Sequence, residues 1–563
     1  MSRSRVDRRE LIGLGAILAL AAVVRFVGLP GRGTWDADQG HDMLVLLRLV
    51  RDGQIPLLGP PTSIGAFHHG ALYYYLLSPA AFVSGAHPTF VVAEIALAGV
   101  AAVAVTWWLA RSISGPIAGI VAALVMALSA SAIDESTFIW NPNLIALSSA
   151  VTLAAAWRGR TTGHAAWWLL SAFALLVTMQ CHVLGIALLP PIVAFWVATW
   201  RVTPAGPERS RLTWSGLGGV AIIALGYVPL LVSELGHDFA ESRAALAFIA
   251  SGGTGVTIAL PIRLLFVGLR ILAWPLTGLL TNGLVIGVVV GVTVVVGLAW
   301  RAGAGSGRER TAARWLLATL AFGWIVLTLG AAGLSTVTPL PVDHYHAFLD
   351  PVVFIALGMV VAAVWQGLQD RLRAAPPEPA TEAASTEAAP ADAAAERRPS
   401  PTDDSPGSSA AQPTPANVLR LALAGVVVGL GILIAWNVSV WPPAVAADGG
   451  WPAARVAADR IEAAAGDRSI QLIGLPAFKS TEAYGFPLER DGRRVVEAIP
   501  LVPVPGGPVP DPTAAAVVLC DTLFVEDCGG PAETAALAAL WPGPLELVDR
   551  WQPAPGRTIS VYL

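Results

Sequence analysis

Eleven stretches of this chain are apolar enough, over a long enough run, to cross a membrane, and they limit every later reading. They lie near residues 10–28, 89–110, 114–132, 143–157, 165–181, 183–200, 214–233, 283–300, 314–333, 347–366 and 418–436. About 20 mostly apolar residues match the hydrocarbon thickness of a bilayer. Backbone at that depth must satisfy its own hydrogen bonds, so the expected fold class is mainly α, a polytopic membrane protein of about eleven transmembrane helices. Composition agrees: 55% of the 563 residues are hydrophobic and 13% charged, and the mean hydropathy is +0.63. A net charge of −4 offers no basic face, so no nucleic-acid partner is expected.

The loops between these stretches carry an orientation. Arg3, Arg5, Arg8 and Arg9 precede the first stretch, and because further spans follow, that stretch reads as a retained anchor rather than a secretory signal. Alternating the spans from a cytoplasmic N-terminus gathers Arg111, Arg158, Arg160, Arg201, Arg209, Arg211, Arg301, Arg308, Arg310, Arg314, Arg371 and Arg373 in inside loops, as the positive-inside rule requires. The outside then receives 29–88, 133–142, the junction at 182, 234–282, 334–346 and everything after 437. The expected location is the plasma membrane.

Domain organisation follows from composition. Residues 1–366 form the main transmembrane region, with 29–88 as a long first outer loop, and 417–436 is a last transmembrane helix. Between them, 367–416 is rich in Ala, Pro, Glu and Ser and has too little apolar surface to fold, which predicts a disordered cytoplasmic loop. Residues 437–563 read as a small extracytoplasmic α/β domain: helix near 451–465, strand at 469–475, helix near 478–486, strand at 515–520, helix at 532–540, and strands at 545–551 and 558–563. Cys520 and Cys528 both fall in it and are expected to pair in an oxidising exterior, while Cys181 reads as packing. Many Ala, Gly, Pro and Arg with few Lys suggest a GC-rich bacterial source, so Asn437-Val438-Ser439 reads as a chance sequon.

Polar chemistry collects on one side. Of nine histidines, His41, His68, His69, His87, His182, His237, His344 and His346 fall outside and His164 inside. In the first outer loop, "HDMLVLLRLV" sets Met43, Leu46, Leu47 and Val50 against Arg48 and Arg51, the pattern of an amphipathic helix lying on the membrane surface. The apolar run from Ala71 to Val83 is short for a span and reads as an interfacial helix, with Tyr73, Tyr74 and Tyr75 at headgroup level. Asp36 and Asp38 would then sit in a cavity between these helices and the spans, where a carboxylate can take a proton from a hydroxyl. An Asp-x-Asp also occurs in cation sites and, more often, in ordinary solvated loop. No His-x-x-x-His or similar close spacing appears, so no cofactor is firmly expected, with a divalent metal held by the outer histidines and aspartates as the lesser alternative.

Five motifs in order, "DADQGHDML", "GPPTSIGAFHHGALYYYLLSPA", "FIWNPNLIAL", "QCHVLGIALLPP" and "VDHYHAFLDPVVFIALG", give residues 10–366 a resemblance to the membrane glycosyltransferases of the GT-C type. The chain resembles in particular glycosyltransferase family 39, with the protein O-mannosyltransferases and, more distantly, the lipid A aminoarabinose transferases. The resemblance implies an enzyme that moves one sugar, with inversion, from a polyprenyl-phosphate carrier to an acceptor hydroxyl outside the membrane. The family's catalytic acid lies in the first outer loop, often in an Asp-Glu pair. Here Asp38-Gln39 occupies that place, with Asp36 as a second candidate for part of the role. Residues expected to hold the lipid phosphate or the sugar are His69, Tyr73, Asn141, Gln180, His182, Arg270, His344 and Tyr345. The acceptor is a protein, a polysaccharide or a lipid. A transporter or flippase of lipid-linked glycans is the alternative, and a non-catalytic glycan-binding partner a third reading.

Overall fold

The computed structural model describes residues 6–62, 67–251, 258–278, 284–334, 345–374, 415–476, 479–496, 511–525, 527–541 and 543–563. Each apolar stretch read from the sequence is helical, within a few residues of the expected limits. The helix expected to end at 366 continues to Ala374. Among the described residues, six helices are long and apolar enough to cross a membrane, and a seventh candidate is Pro207–Gly226 joined to Val228–Gly236 across a 41° bend. Pro116–Leu128 and Ala166–Cys181 are apolar but shorter. The chain is a multi-pass membrane protein.

One of the six corrects the sequence reading. Residues 257–281, an otherwise apolar stretch that carries Arg263 and Arg270, were expected to form an outer segment, yet Leu260–Thr277 is a helix long and apolar enough to cross a membrane. Its last carbonyls are fixed at one end of the bundle: Ser129 Oγ donates to Pro275 O at 2.6 Å, Asn437 Nδ2 to Leu276 O at 2.6 Å, and Trp436 Nε1 to Thr277 O at 2.7 Å. Asn437 is thus a buried strut.

The arginines of alternate connections collect at the other end, where they lie over indole rings. Arg158 stands 5.7 Å from Trp108 and 5.8 Å from Trp167, and Arg308 5.7 Å from Trp157, a cation–π arrangement. Arg25 is the exception, fully buried on the first helix. It donates to Ala127 O (3.1 Å), Ala132 O (3.1 Å) and Ser136 Oγ (2.9 Å), which pins Arg8–Phe26 to the connection that delivers Trp140 and Asn141.

After the Pro415–Ser439 helix the chain builds a five-stranded sheet in the order β4-β3-β5-β7-β6. Two short strands of the first loop, β1 (Leu58–Pro61) and β2 (His68–Gly70), precede it in the numbering. β3 (Ile470–Leu475) runs parallel to β4 (Val495–Val496) and β5 (Ala515–Asp521), whereas β6 (Leu547–Ala554) and β7 (Arg557–Tyr562) are antiparallel. Every residue of β3 and β5 is buried, because helices Gly450–Ala465 and Pro531–Leu540 pack with the sheet and leave neither strand a wet face. A disulfide joins Cys520 to Cys528.

This unit rests on the first loop. The helix Ala37–Asp52, called the site helix below, crosses Glu482–Arg490, the docking helix. Gly40 is at the crossing, where a Cβ would stand 2.2 Å from Glu482 O, so only glycine allows the approach. Trp35 wedges between Trp451 (4.8 Å) and Phe486 (5.7 Å) and donates from Nε1 to Ala483 O at 2.7 Å. Arg48 pairs with Glu489 at 3.4 Å, and Arg51 donates to Glu489 O at 3.3 Å. The apolar face, with Met43, Leu46 and Leu47 buried, therefore packs within the protein instead of lying on the membrane surface, while Arg51 stays exposed.

Candidate active site

The site helix begins four residues earlier than its apolar pattern suggests. Asp36 and Gln39 form a capping box: Ala37 N–H donates to Asp36 Oδ1 at 2.8 Å and Asp36 N–H to Gln39 Oε1 at 2.9 Å. Asp38 is therefore helical, and Asp38, His41 and Asp42 stand three and four residues apart on one face. Asp36, two residues from Asp38, turns elsewhere. It pairs with Arg557 at 2.6 Å and Lys479 at 3.6 Å, in the C-terminal unit. The two aspartates expected in one cavity are separated by helical geometry.

A cavity of ≈ 130 Å³ opens at this face. Asp38, His41 and Asp42 line it from the site helix, and His69 from β2. Trp140 and Asn141 from the second connection, and His182 and Tyr345 from helix ends, complete its polar lining. Asn141 is held by its amide, which donates to Cys181 O at 2.5 Å. His69 and His182 stack with ring centroids 5.1 Å apart, and Tyr345 meets His182 edge-on at 5.5 Å. Leu184 N–H donates to His182 Nδ1 at 3.2 Å, which leaves the proton of a neutral ring on Nε2. Buried His69 has no hydrogen-bond partner for Nδ1 among the described residues, and burial lowers its pKa to about 4, so the ring is neutral at physiological pH.

Asp38 and Asp42 differ by environment. Burial, then the neighbouring Asp36, holds the Asp38 carboxyl above the usual range, against His41 and a hydrogen bond with Trp140. Asp42 is fully enclosed: Tyr73 Oη donates to its Oδ2 and Tyr74 Oη to its Oδ1, both at 2.8 Å. Burial outweighs those donors and pushes its pKa up to about 7. Tyr73 and Tyr74 are thus buried partners of a carboxylate, in place of the headgroup anchors expected, because Leu72–Ser84 turns that side of the helix inward. Tyr75 is half-buried and donates to Pro56 O at 2.5 Å.

Asp42 makes stability depend on pH. Its folded pKa of about 7 lies above the unfolded value of ~4. The contribution is full below ~4 and is lost as pH rises through about 7. Asp42→Asn removes the titration, so the thermal midpoint in detergent, higher at pH 5 than at pH 8 in the parent, should flatten across this window. An unchanged slope would exclude Asp42 as its source.

Other expected site residues lie elsewhere. Gln180 is a strut, accepting from Leu72 N–H at 3.0 Å and donating to Gly226 O at 2.6 Å. Tyr73 is behind the cavity wall, on Asp42. Arg270 lies over Trp274 at 5.0 Å, on the Leu260–Thr277 helix and away from the cavity lining. His344 is outside the described residues. His41 and Asp42 were not among the expected site residues, though their spacing from Asp38 carried the signal. Among the described residues no group of three His, Cys, Asp or Glu could hold a metal ion.

No protein-family model matches the chain, and no curated protein matches it. Solved structures do. The apo crystal structure of ArnT from Cupriavidus metallidurans is similar over 97% of both chains, at 16% identity and a TM-score of 0.56. The same protein bound to undecaprenyl phosphate is similar over 99% of this chain and 98% of that one, at 14% identity and a TM-score of 0.56. The oligosaccharyltransferase AglB from Archaeoglobus fulgidus, in complex with an inhibitory peptide and a dolichol-phosphate, is similar over 95% of this chain and 71% of that one, at 13% identity and a TM-score of 0.48. At these identities the likeness to ArnT is one of fold: the chain has the GT-C fold of membrane glycosyltransferases.

Proposed function

We propose that the protein is an inverting glycosyltransferase that moves a sugar from a polyprenyl-phosphate carrier to an acceptor hydroxyl at the outer face of the cell membrane. The observation that carries this reading is the cavity, which puts the Asp38 carboxyl, held above its usual range, together with the stacked rings of His69 and His182 on a GT-C bundle. The fold neighbour bound to undecaprenyl phosphate supports the donor class. The arginine-lined opposite end of the bundle supports an outward cavity, with the C-terminal unit outside.

In this reading Asp38 takes the proton of the acceptor hydroxyl as its oxygen attacks the anomeric carbon. The bond from that carbon to the phosphate oxygen breaks, and its electron pair leaves on the phosphate. His69 and His182 donate to the phosphate where charge grows, which lowers the barrier if the donors are already in place. Asn141 and Tyr345 border the sugar. His344, in the adjoining segment, is a further candidate for the phosphate. Arg270 and Gln180 are not among the residues that line the cavity and are not assigned there.

The test supplies membranes containing the protein with a series of radiolabelled polyprenyl-phosphate sugars. Label should pass from lipid to an acceptor for one donor. Label that crosses the bilayer while still lipid-linked would replace the reading by that of a flippase, and no movement with any donor would remove it.

A further inference from the structure

His41 differs from the other cavity histidines because it is the one held by the C-terminal unit. Its Nδ1 lies 2.9 Å from Glu482 Oε1, and Glu482, in the first turn of the docking helix, is itself oriented by Ser480 Oγ, which donates to Oε2 at 3.0 Å. With Nδ1 engaged, the other edge of the ring is what His41 offers the cavity it lines. The contact depends on the close approach at Gly40, which sets the backbone of Glu482 against the site helix one residue before His41.

We propose that Glu482 is a positioning residue for the cavity: it orients His41 and keeps both ring nitrogens hydrogen-bond donors, so that the site is complete only with the C-terminal unit docked. The inference rests on the transferase reading above for what the cavity binds, a sugar phosphate. A carboxylate behind an imidazole fixes its orientation and stabilises the imidazolium, as in hydrolase triads. The groups facing His41 agree on sign. Burial alone would lower its pKa, but Glu482 from the docking helix, then Asp42 and Asp38 from its own helix, outweigh burial and raise it. Glu482 is lowered in turn: its own burial opposes, but the hydrogen bond and charge of His41 prevail, helped by Ser480 and Arg48. His69, on the adjoining wall, is neutral and adds no opposing charge near pH 7.

Two isosteric variants of the full-length protein decide the matter. Glu482→Gln removes the charge behind His41. Glu489→Gln removes a docking pair of the same two helices, Glu489 to Arg48, without touching His41. Diethyl pyrocarbonate modifies neutral imidazole, so the pH of half-maximal carbethoxylation of His41, read by peptide mass spectrometry, reports its protonation without requiring catalysis. Glu482→Gln should lower that midpoint by about one pH unit and move the alkaline fall of sugar transfer with it, while Glu489→Gln moves neither. An unchanged His41 midpoint in Glu482→Gln, or an equal shift in both variants, overturns the proposal. A shifted midpoint in a protein that transfers no sugar leaves the positioning and removes the transferase reading; transfer with an unshifted midpoint does the reverse.

Discussion

Asp38→Asn should lower sugar transfer about 10²–10⁴-fold, the range for loss of a positioned general base, with the carrier still bound. The amide keeps the shape of the side chain and cannot accept the proton. Two neighbouring carboxylates give no rescue. Asp42 has both oxygens engaged by the Tyr73 and Tyr74 phenols, and Asp36 is held by Arg557 and Lys479 at the docking interface. The loss should therefore fall on kcat, with the binding of polyprenyl phosphate changed little. Asp36→Asn, by contrast, should act through docking and, because its charge helps raise Asp38, should move the acid limb of the rate profile to lower pH. Equal transfer by the parent and Asp38→Asn, at matched expression, would rule out Asp38 as the base.

What could be read from the sequence was what depends on one helix or strand at a time. The apolar periods gave the bundle helices, and the buried β-branched runs gave β3 and β5, because burial on both faces selects those residues locally. Asp38, His69, Asn141, His182 and Tyr345 were legible as polar residues on one side of a hydrophobic chain, and all five line the cavity. Contacts between distant segments were not. Nothing near Arg48 and Arg51 indicates that a helix more than 400 residues later reaches them, so an amphipathic pattern was read as a helix on the membrane surface. The tyrosines were misread for the same reason: an aromatic run suggests an interface until Asp42 is known to lie behind it. Asp42 and His41 needed only the capping box at Asp36 and Gln39, which moves the helix start ahead of Asp38 and puts all three on one face. That signal is in the sequence, hidden by the stronger apolar pattern that starts later. Leu260–Thr277 was read as part of an outer segment although it is apolar and of adequate length to span.

The second large effect is expected at His182. His182→Phe keeps the ring between His69 and Tyr345, and so the stacking at 5.1 Å and 5.5 Å, but removes both ring nitrogens. Two consequences follow, and they separate. Leu184 N–H loses its acceptor at the start of the helical turn, which costs about 1 kcal/mol as a lost cap and should lower the thermal midpoint only slightly. The phosphate loses a donor where charge grows, which should cost about 10²–10³ in transfer rate. Because Nδ1 accepts from Leu184 N–H, the ring's donor is Nε2, and it can donate without carrying charge. His69, held neutral by burial, lines the same cavity and cannot take over as a charged substitute near pH 7. Measured together, transfer rate and thermal midpoint test the assignment: a large midpoint drop with proportionate loss of activity would make His182 a packing residue, whereas a near-normal midpoint with transfer down a hundredfold would place it on the departing phosphate.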